Sequence, residues 1–301
     1  MSDNSNQMSL QDWALLVLLS LIWGGSFLFA EIAVREIPPL TLVLLRVAFA
    51  AITLNLAVAL FLRGKNRDRL PWAQFVGMGL LNNVIPFTLI FYGQTEIGAG
   101  LAAIVNAMTP IWTLLIAHWS TSDERMSPLK IIGVLLGFSG VAVLIGMSAI
   151  EGISGAVWGQ IAVLGATISY GFASVFGRRF KSVRPVDTAR GQLTMSTLMM
   201  LPIAAFFDRF WILPMPGAAA IWSVILLAVL CTAFAYILFF RILARAGALN
   251  IALVTFLVPL SAVALGIIVL GETLATRHIA GMALIMLALV VIDGRLFRRI
   301  R

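Results

Sequence analysis

Charge is what this chain has least of. Asp, Glu, Lys and Arg together make up 11% of its 301 residues, against roughly 25% in an ordinary soluble domain. A polar exterior for a soluble globule of this length is therefore excluded. Cysteine is nearly absent: Cys231 stands alone, which rules out an intramolecular disulfide. With only His118 and His278 beside it, no thiolate or imidazole metal cluster is available. Neither His-Glu-x-x-His nor Gly-x-Ser-x-Gly occurs, and no cluster of titratable groups replaces them, which argues against an enzyme. A channel would be expected to show a ring of like charges or a repeated carbonyl filter, and neither is visible. The net charge of +8 invites a nucleic-acid reading, but the basic residues flank apolar runs and form no continuous face. No cofactor, metal or nucleic acid is expected.

What fills the chain is apolar sequence. Hydrophobic residues reach 61% and mean hydropathy is +1.02. A helix needs about 20 mostly apolar residues to cross a bilayer. Runs of that length lie at about 13–34, 39–62, 72–92, 98–119, 129–148, 155–177, 187–207, 219–242, 247–270 and 277–296. Lipid forces each backbone to satisfy its own hydrogen bonds, and the runs are twice the length of a barrel strand. The expected fold is all-α, with ten transmembrane helices. The first run, from Trp13, is too long and lacks the basic flank of a signal peptide, so it reads as a span.

Loop charges set an orientation. With the N-terminus inside, sixteen Lys and Arg fall in the inner loops and tail, among them Arg63, Lys65, Arg67, Arg69, Arg125, Arg178, Arg245, Arg295, Arg298, Arg299 and Arg301. Only Arg35, Arg209 and Arg277 fall outside. Both termini are then cytoplasmic. An error of one helix would destroy the alternation.

The two halves resemble each other. Pro110 and Pro259 are 149 residues apart, as are Gly98-Ala99 and Gly247-Ala248; Glu124 and Glu272 are 148 apart. Trp23-Gly24 matches Tyr170-Gly171, and Pro38 with Thr41 matches Pro185 with Thr188, both at 147. The halves, 1–150 and 151–301, hold five spans each. Five is odd, so the second half enters the membrane inverted, an architecture typical of secondary transporters with a central cavity.

Trp23-Gly24-Gly25-Ser26-Phe27, Leu45-Arg46 and Ala107-Met108-Thr109-Pro110 in the first half, with Phe256-Leu257-Val258-Pro259-Leu260 and Leu270-Gly271-Glu272 in the second, are the residues of a further likeness. Together with the ten spans, they resemble the drug/metabolite transporter superfamily, in its ten-helix branch of two EamA domains. The resemblance covers essentially the whole chain. It is nearest to bacterial exporters of aromatic amino acids and of cationic drugs such as methyl viologen. It implies export of small metabolites across the bacterial cytoplasmic (inner) membrane by alternating access. The implied partners are a small-molecule substrate and the lipid bilayer, with the chain a monomer or weak homodimer. Amino acids, aromatic or other neutral ones, are the first expected cargo; a multidrug or organic-cation exporter and a lipid scramblase or channel-like protein are the alternatives.

The residues themselves point to mid-depth. Proline inside a helix frees the carbonyl four residues earlier. Pro86 would free Asn82, Pro110 would free Asn106 and Pro259 would free Thr255; Asn83 and Thr109 lie next to these breaks. Broken backbone at membrane depth is tolerated where protein or a wet cavity covers it. Tyr170, Ser174, Thr232 and Tyr236 add polar groups from the second half. Trp23 and Trp112 are too central for the interfacial belt expected of Trp13, Trp72, Trp119, Trp158, Trp211 and Trp222. They read either as an aromatic wall or as helix packing, and Phe27, Phe87, Phe91 and Phe256 share that choice.

Two charges lie within spans. Arg46 is the clearest, and Glu31 stands at a depth it could reach. An ion pair between them is one reading; recognition of a substrate carboxylate by Arg46 is the other. Arg190 is expected to snorkel or to pair with Asp187. No Asp or Glu occupies the centre of a span, so export is expected without an obligatory coupling ion.

Overall fold

The structure is a computed structural model that describes residues 9–61, 70–121, 126–146 and 154–293. Arg63, Lys65, Arg67, Arg69, Glu124, Arg125, Arg295, Arg298, Arg299 and Arg301 lie outside the described residues. Among those described there is no β-strand.

Local chemistry fixes where helices begin. Ser9 and Asp12 form a reciprocal capping box at the start of α1 (Leu10–Val34), with bonds of 3.2 and 3.3 Å. Ser127 and Ser154 cap α5 (Pro128–Ile145) and α6 (Gly155–Phe180, ending in a 3₁₀ turn). Proline stands at the first turn of α2 (Pro39–Leu60), α5 and α7 (Pro185–Phe207), where no N–H is needed. α3 (Trp72–Gln94) contains a π turn at Leu80–Val84, and α8 (Ala218–Leu243) contains a π stretch at Leu226–Phe234. α4 (Ala99–Ser120) is broken between Asn106 and Thr109. α9 (Val254–Leu270) and α10 (Thr276–Asp293) complete the bundle.

Eight of these segments are long and apolar enough to cross a membrane; α9, at 17 residues, is a shorter apolar helix. The run expected as one span from 247 is interrupted. Gly247 is non-helical at φ 81° and ψ 166°, and a turn falls at 252–253 before α9 begins. α7 has 23 residues but carries Asp187, Arg190 and Gln192 on its first turns. Arg190 pairs with Asp187 at 2.8 Å, the partner expected for it.

The bundle holds a few buried polar side chains within an apolar core and turns large apolar side chains outward. Gln94, Gln160, Thr167, Gln192 and Ser196 are buried, whereas Leu135, Leu198, Phe206 and Ile268 are exposed. An apolar exterior with polar groups kept inside suits a lipid solvent. The six tryptophans near helix ends are exposed; Trp23 and Trp112 are half-buried.

Packing is mostly between the halves. α2 packs on α7, α4 on α9 and α5 on α10. The other principal pairs come in twos, α1·α9 with α4·α6, α1·α8 with α3·α6, and α2·α8 with α3·α7. Exchanging each helix for the one five places along reproduces the same set. Glycines allow the closest crossings. A Cβ on Gly93 would lie 2.8 Å from the Gly159 carbonyl oxygen and one on Gly159 equally close to that of Gly93; Gly140 and Gly281 face each other at 2.9 and 2.8 Å in the same way.

Carboxylates tie the end of the bundle opposite the α1 N-terminus. Asp208 accepts from Thr41 N–H at 2.7 Å and Thr41 Oγ1 at 2.8 Å, at the start of α2. Glu36 accepts from Gly217 N–H at 2.6 Å, at the start of α8. Glu272 accepts from Ala99 and Gly100 N–H at 2.6 and 2.9 Å, at the start of α4. Each carboxylate comes from the half opposite to the helix it caps, and meets the positive end of its dipole. At the end where α1 begins, the tie is a half-exposed ion pair, Arg245 to Asp12 at 2.9 Å.

Candidate substrate cavity

A cavity of about 690 Å³ lies between the halves, walled by α1, α2, α3, α4, α6, α7, α8 and α9. Its size falls within the range of small-molecule sites, roughly 300–1,000 Å³. It reaches the α6–α7 connection at Phe180, Lys181, Val183 and Pro185, toward the end where α1 begins.

The π segments and the α4 break shape its walls. In α3 the Ile85 N–H reaches back five residues to Leu80 O. In that register Pro86 leaves the Leu81 carbonyl without a donor, not that of Asn82 as a regular helix would. Ser169 Oγ on α6 donates to Leu81 O at 2.7 Å. In α4, Thr109 Oγ1 donates at 2.8 Å to the Asn106 carbonyl that Pro110 frees. Hydroxyl groups thus repair two of the three proline breaks, and those carbonyls are not the cavity's open polar surface. In α8 the Thr232 hydroxyl donates to Leu227 O at 2.7 Å, five residues back. π distortions of this kind are frequent at functional sites.

The cavity wall includes Trp23, Arg46, Asn82, Phe87, Asn106, Thr109, Pro110, Tyr170, Ser174, Thr232, Tyr236, Thr255 and Pro259. Phe27, Phe91 and Cys231 line it as well. Asn82 Nδ2 donates to Gln192 Oε1 at 3.0 Å and to Tyr236 Oη at 3.1 Å, joining α3 to α7 and α8. Trp23 packs on Phe239 with ring centroids 5.6 Å apart.

Five expected residues lie off this wall, Glu31 among them. Asn83 is fully buried and donates to Ser196 Oγ at 3.0 Å, so it ties α3 to α7. Neighbouring positions on a helix differ by about 100° in direction, so only one of the two asparagines faces inward. Trp112 packs edge-on against Phe138 of α5 at 5.3 Å, which favours the packing reading for that ring. Phe256 packs against the apolar core, and Pro86 is buried away from the cavity.

The expected pair of Arg46 with Glu31 is not formed. Glu31 contacts Arg35 at 3.4 Å, four residues along the same helix. Arg46 instead donates from Nε to Thr232 Oγ1 at 3.1 Å and lies 3.8 Å from the centre of the Phe87 ring. The reason is packing: α2 lies against α7 and α8 far more than against α1.

Sequence reasoning missed Gln94, Lys181, Gln192 and Phe239, all of which line the cavity. Gln192 had a usable signal. It stands four residues before Ser196 on α7, one face carrying both.

A profile of EamA-like transporters matches residues 12–146 and again 157–293. The chain belongs to the EamA-like transporter family. That is a family of transporters, not of enzymes, and this chain carries its domain twice. An E. coli K12 protein named as an uncharacterized inner membrane transporter, YedA, is 28% identical over 283 residues, covering 92% of this chain and 89% of its own length. A probable amino-acid metabolite efflux pump of Salmonella typhimurium LT2 is 27% identical over 297 residues, covering 94% and 95%. A crystal structure of another protein, 20% identical in sequence, aligns with a TM-score of 0.68 over 96% of this chain and 99% of its own. At that identity the likeness shows the fold alone. The cavity of this EamA-like transporter lies between its two copies of the domain.

Proposed function

We propose that the chain is a carrier that exports small metabolites, neutral and aromatic amino acids foremost, by alternating access across the bacterial inner membrane. In this reading α1 to α10 are ten spans, grouped as inverted five-helix repeats at 1–150 and 151–301, with both termini cytoplasmic. The observation that carries it is the cavity of about 690 Å³ built jointly by both halves. The packing pairs that map onto themselves under a five-helix shift support the repeat. An inverted repeat requires α6 to run antiparallel to α1, and the odd number of spans read in each half supports that. The excess of basic residues in one set of loops supports the orientation.

The substrate-binding residues of this reading are those on the wall, with Trp23 and Phe239 as the aromatic side and Asn82, Asn106, Tyr170, Ser174 and Tyr236 as the polar one. No Asp or Glu lines the cavity among the described residues. Glu31 is engaged with Arg35. A proton-coupled mechanism would need a titratable acid on the path, so transport is facilitative. The printed name of the Salmonella relative, an amino-acid metabolite efflux pump, supports the substrate class.

Counterflow into proteoliposomes of the purified chain tests the reading, using a panel of amino acids and organic cations with and without a pH gradient. Saturable exchange of amino acids independent of the gradient is expected. Strict dependence on the gradient would defeat the facilitative part. Non-saturable flux would indicate a channel.

A further inference from the structure

Arg46 uses one of the five N–H groups of its guanidinium. Its Nε–H donates to Thr232 Oγ1 at 3.1 Å. The Thr232 proton is itself committed to Leu227 O at 2.7 Å, so the hydroxyl can only accept from Arg46. The Phe87 ring lies 3.8 Å from the guanidinium carbon. These contacts fix the plane of the fork. The Nη edge makes no hydrogen bond or ion pair among the described residues. Arg46 is 8% exposed and stands on the cavity wall. Guanidinium does not deprotonate in proteins, so the charge stays. A buried cation left without a counter-charge is strongly disfavoured. The described residues provide no such counter-charge here, and a ligand can.

The rest of the wall agrees. Among the described residues its only other charged one is Lys181, at the α6–α7 connection, and no carboxylate on the wall offsets the two. An organic cation would enter against that charge. A ligand bearing a negative group would be drawn in. One planar fork matches one carboxylate through two parallel N–H bonds. A phosphate dianion would call for a second cation at the same depth, and there is none on the wall.

We propose that Arg46 is the binding point for the substrate's carboxylate, so that the cargo is a monocarboxylate with an apolar body. The proposal rests on the carrier reading above and narrows it. A neutral amino acid fits best, because the wall also holds acceptors for its ammonium. Gln94 donates from Nε2 to Phe27 O at 2.9 Å, which fixes the amide and leaves Oε1 without a donor. Asn106 Oδ1 is likewise buried without a donor. The Trp23–Phe239 pair provides a surface for the side chain.

The test uses four ligands of one shape: L-phenylalanine, 3-phenylpropionate, L-phenylalaninamide and phenethylamine. Binding to the purified full-length chain is followed by tryptophan fluorescence and by thermal shift; exchange is followed in proteoliposomes. The two acids are expected to bind at least about tenfold tighter than the amide and the amine, the scale of one charge-assisted contact. Arg46→Gln should remove that preference. Its folding is not at risk, since it takes an uncompensated charge out of the membrane, and monodispersity on size exclusion checks this. Arg46→Lys should keep part of the preference, as a point charge without the fork. Equal binding of all four ligands by the natural chain, or an acid preference that survives Arg46→Gln, overturns the inference, as does no binding of either acid. Arg46-dependent acid binding without exchange would sustain the inference and sink the carrier reading. Exchange blind to the carboxylate would do the reverse.

Discussion

Glu272 holds the first two N–H groups of α4, those of Ala99 and Gly100, at 2.6 and 2.9 Å. Gly271, at φ 67°, ends α9 and turns the chain back so that the next residue can reach across. A Cβ on Gly98, Gly100 or Gly266 would press on the Glu272 carboxylate, so three glycines shape its seat. The Leu270-Gly271-Glu272 motif is thus a clasp between the halves at one end of the cavity. With Asp208 on α2 and Glu36 on α8, it ties that end of the bundle across the halves, while the cavity reaches the α6–α7 connection toward the other.

Glu272→Gln should loosen the clasp. The amide keeps one acceptor but loses the charge, and the dipole and charge-assisted contributions together are about 1–3 kcal/mol. In a Cys231→Ala background, a cysteine at the cavity position Ala103 should react with an impermeant thiol reagent mainly from the α1 N-terminal side. With Glu272→Gln, labelling from the opposite side should rise several-fold. Unchanged labelling would show that the clasp does not gate.

Asn82 joins three helices, through Gln192 on α7 and Tyr236 on α8. Tyr236→Phe removes one acceptor and leaves the other, at a cost of about 0.5–1.5 kcal/mol. Asn82→Ala removes both bonds and leaves Gln192 Oε1 without this donor, at about 1–3 kcal/mol. Thermal unfolding in detergent should rank the natural chain above Tyr236→Phe and that above Asn82→Ala. Equal melting for the two variants would contradict the network.

Close crossings predict which glycines are replaceable. Alanine at Gly159 or Gly93 would place a methyl 2.8 Å from a backbone oxygen that cannot move alone. Overpacking of this kind costs about 1–3 kcal/mol. At Gly165 the nearest atom is Leu89 Cδ1 at 3.3 Å, the end of a flexible side chain. Gly165→Ala should be neutral or stabilising, because alanine is the better helix former by about 1 kcal/mol. Yield and melting temperature of the two variants check the contrast.

The helices were legible because apolar length and proline position are local properties. So was much of the wall, since polar residues beside prolines had to be covered. What could not be read was direction around each helix. The π turn in α3 inserts a residue and shifts the faces that follow it, so a regular period misassigns the carbonyl freed by Pro86. Nor does chain order name neighbours. Glu31 and Arg46 are close in sequence and depth, yet α2 lies on α7 and α8, and Arg46 finds Thr232. Gln192 and Phe239 join the cavity through the same nonlocal packing.

That π turn yields the sharpest test of the backbone. Ser169 on α6 is the donor for Leu81 O, whose own donor would have been the missing N–H of Pro86. Ser169→Ala should leave the carbonyl buried and unsatisfied, at about 1–3 kcal/mol. Pro86→Ala restores an N–H that can reach Leu81 in the π register or Asn82 in the α register. In that background Ser169 has less to do. A double-mutant cycle on thermal unfolding should therefore show the Ser169→Ala penalty shrinking by at least half when Pro86 is also alanine. Additive penalties would mean that Ser169 acts through packing, and that the proline and the serine are not two parts of one repaired break.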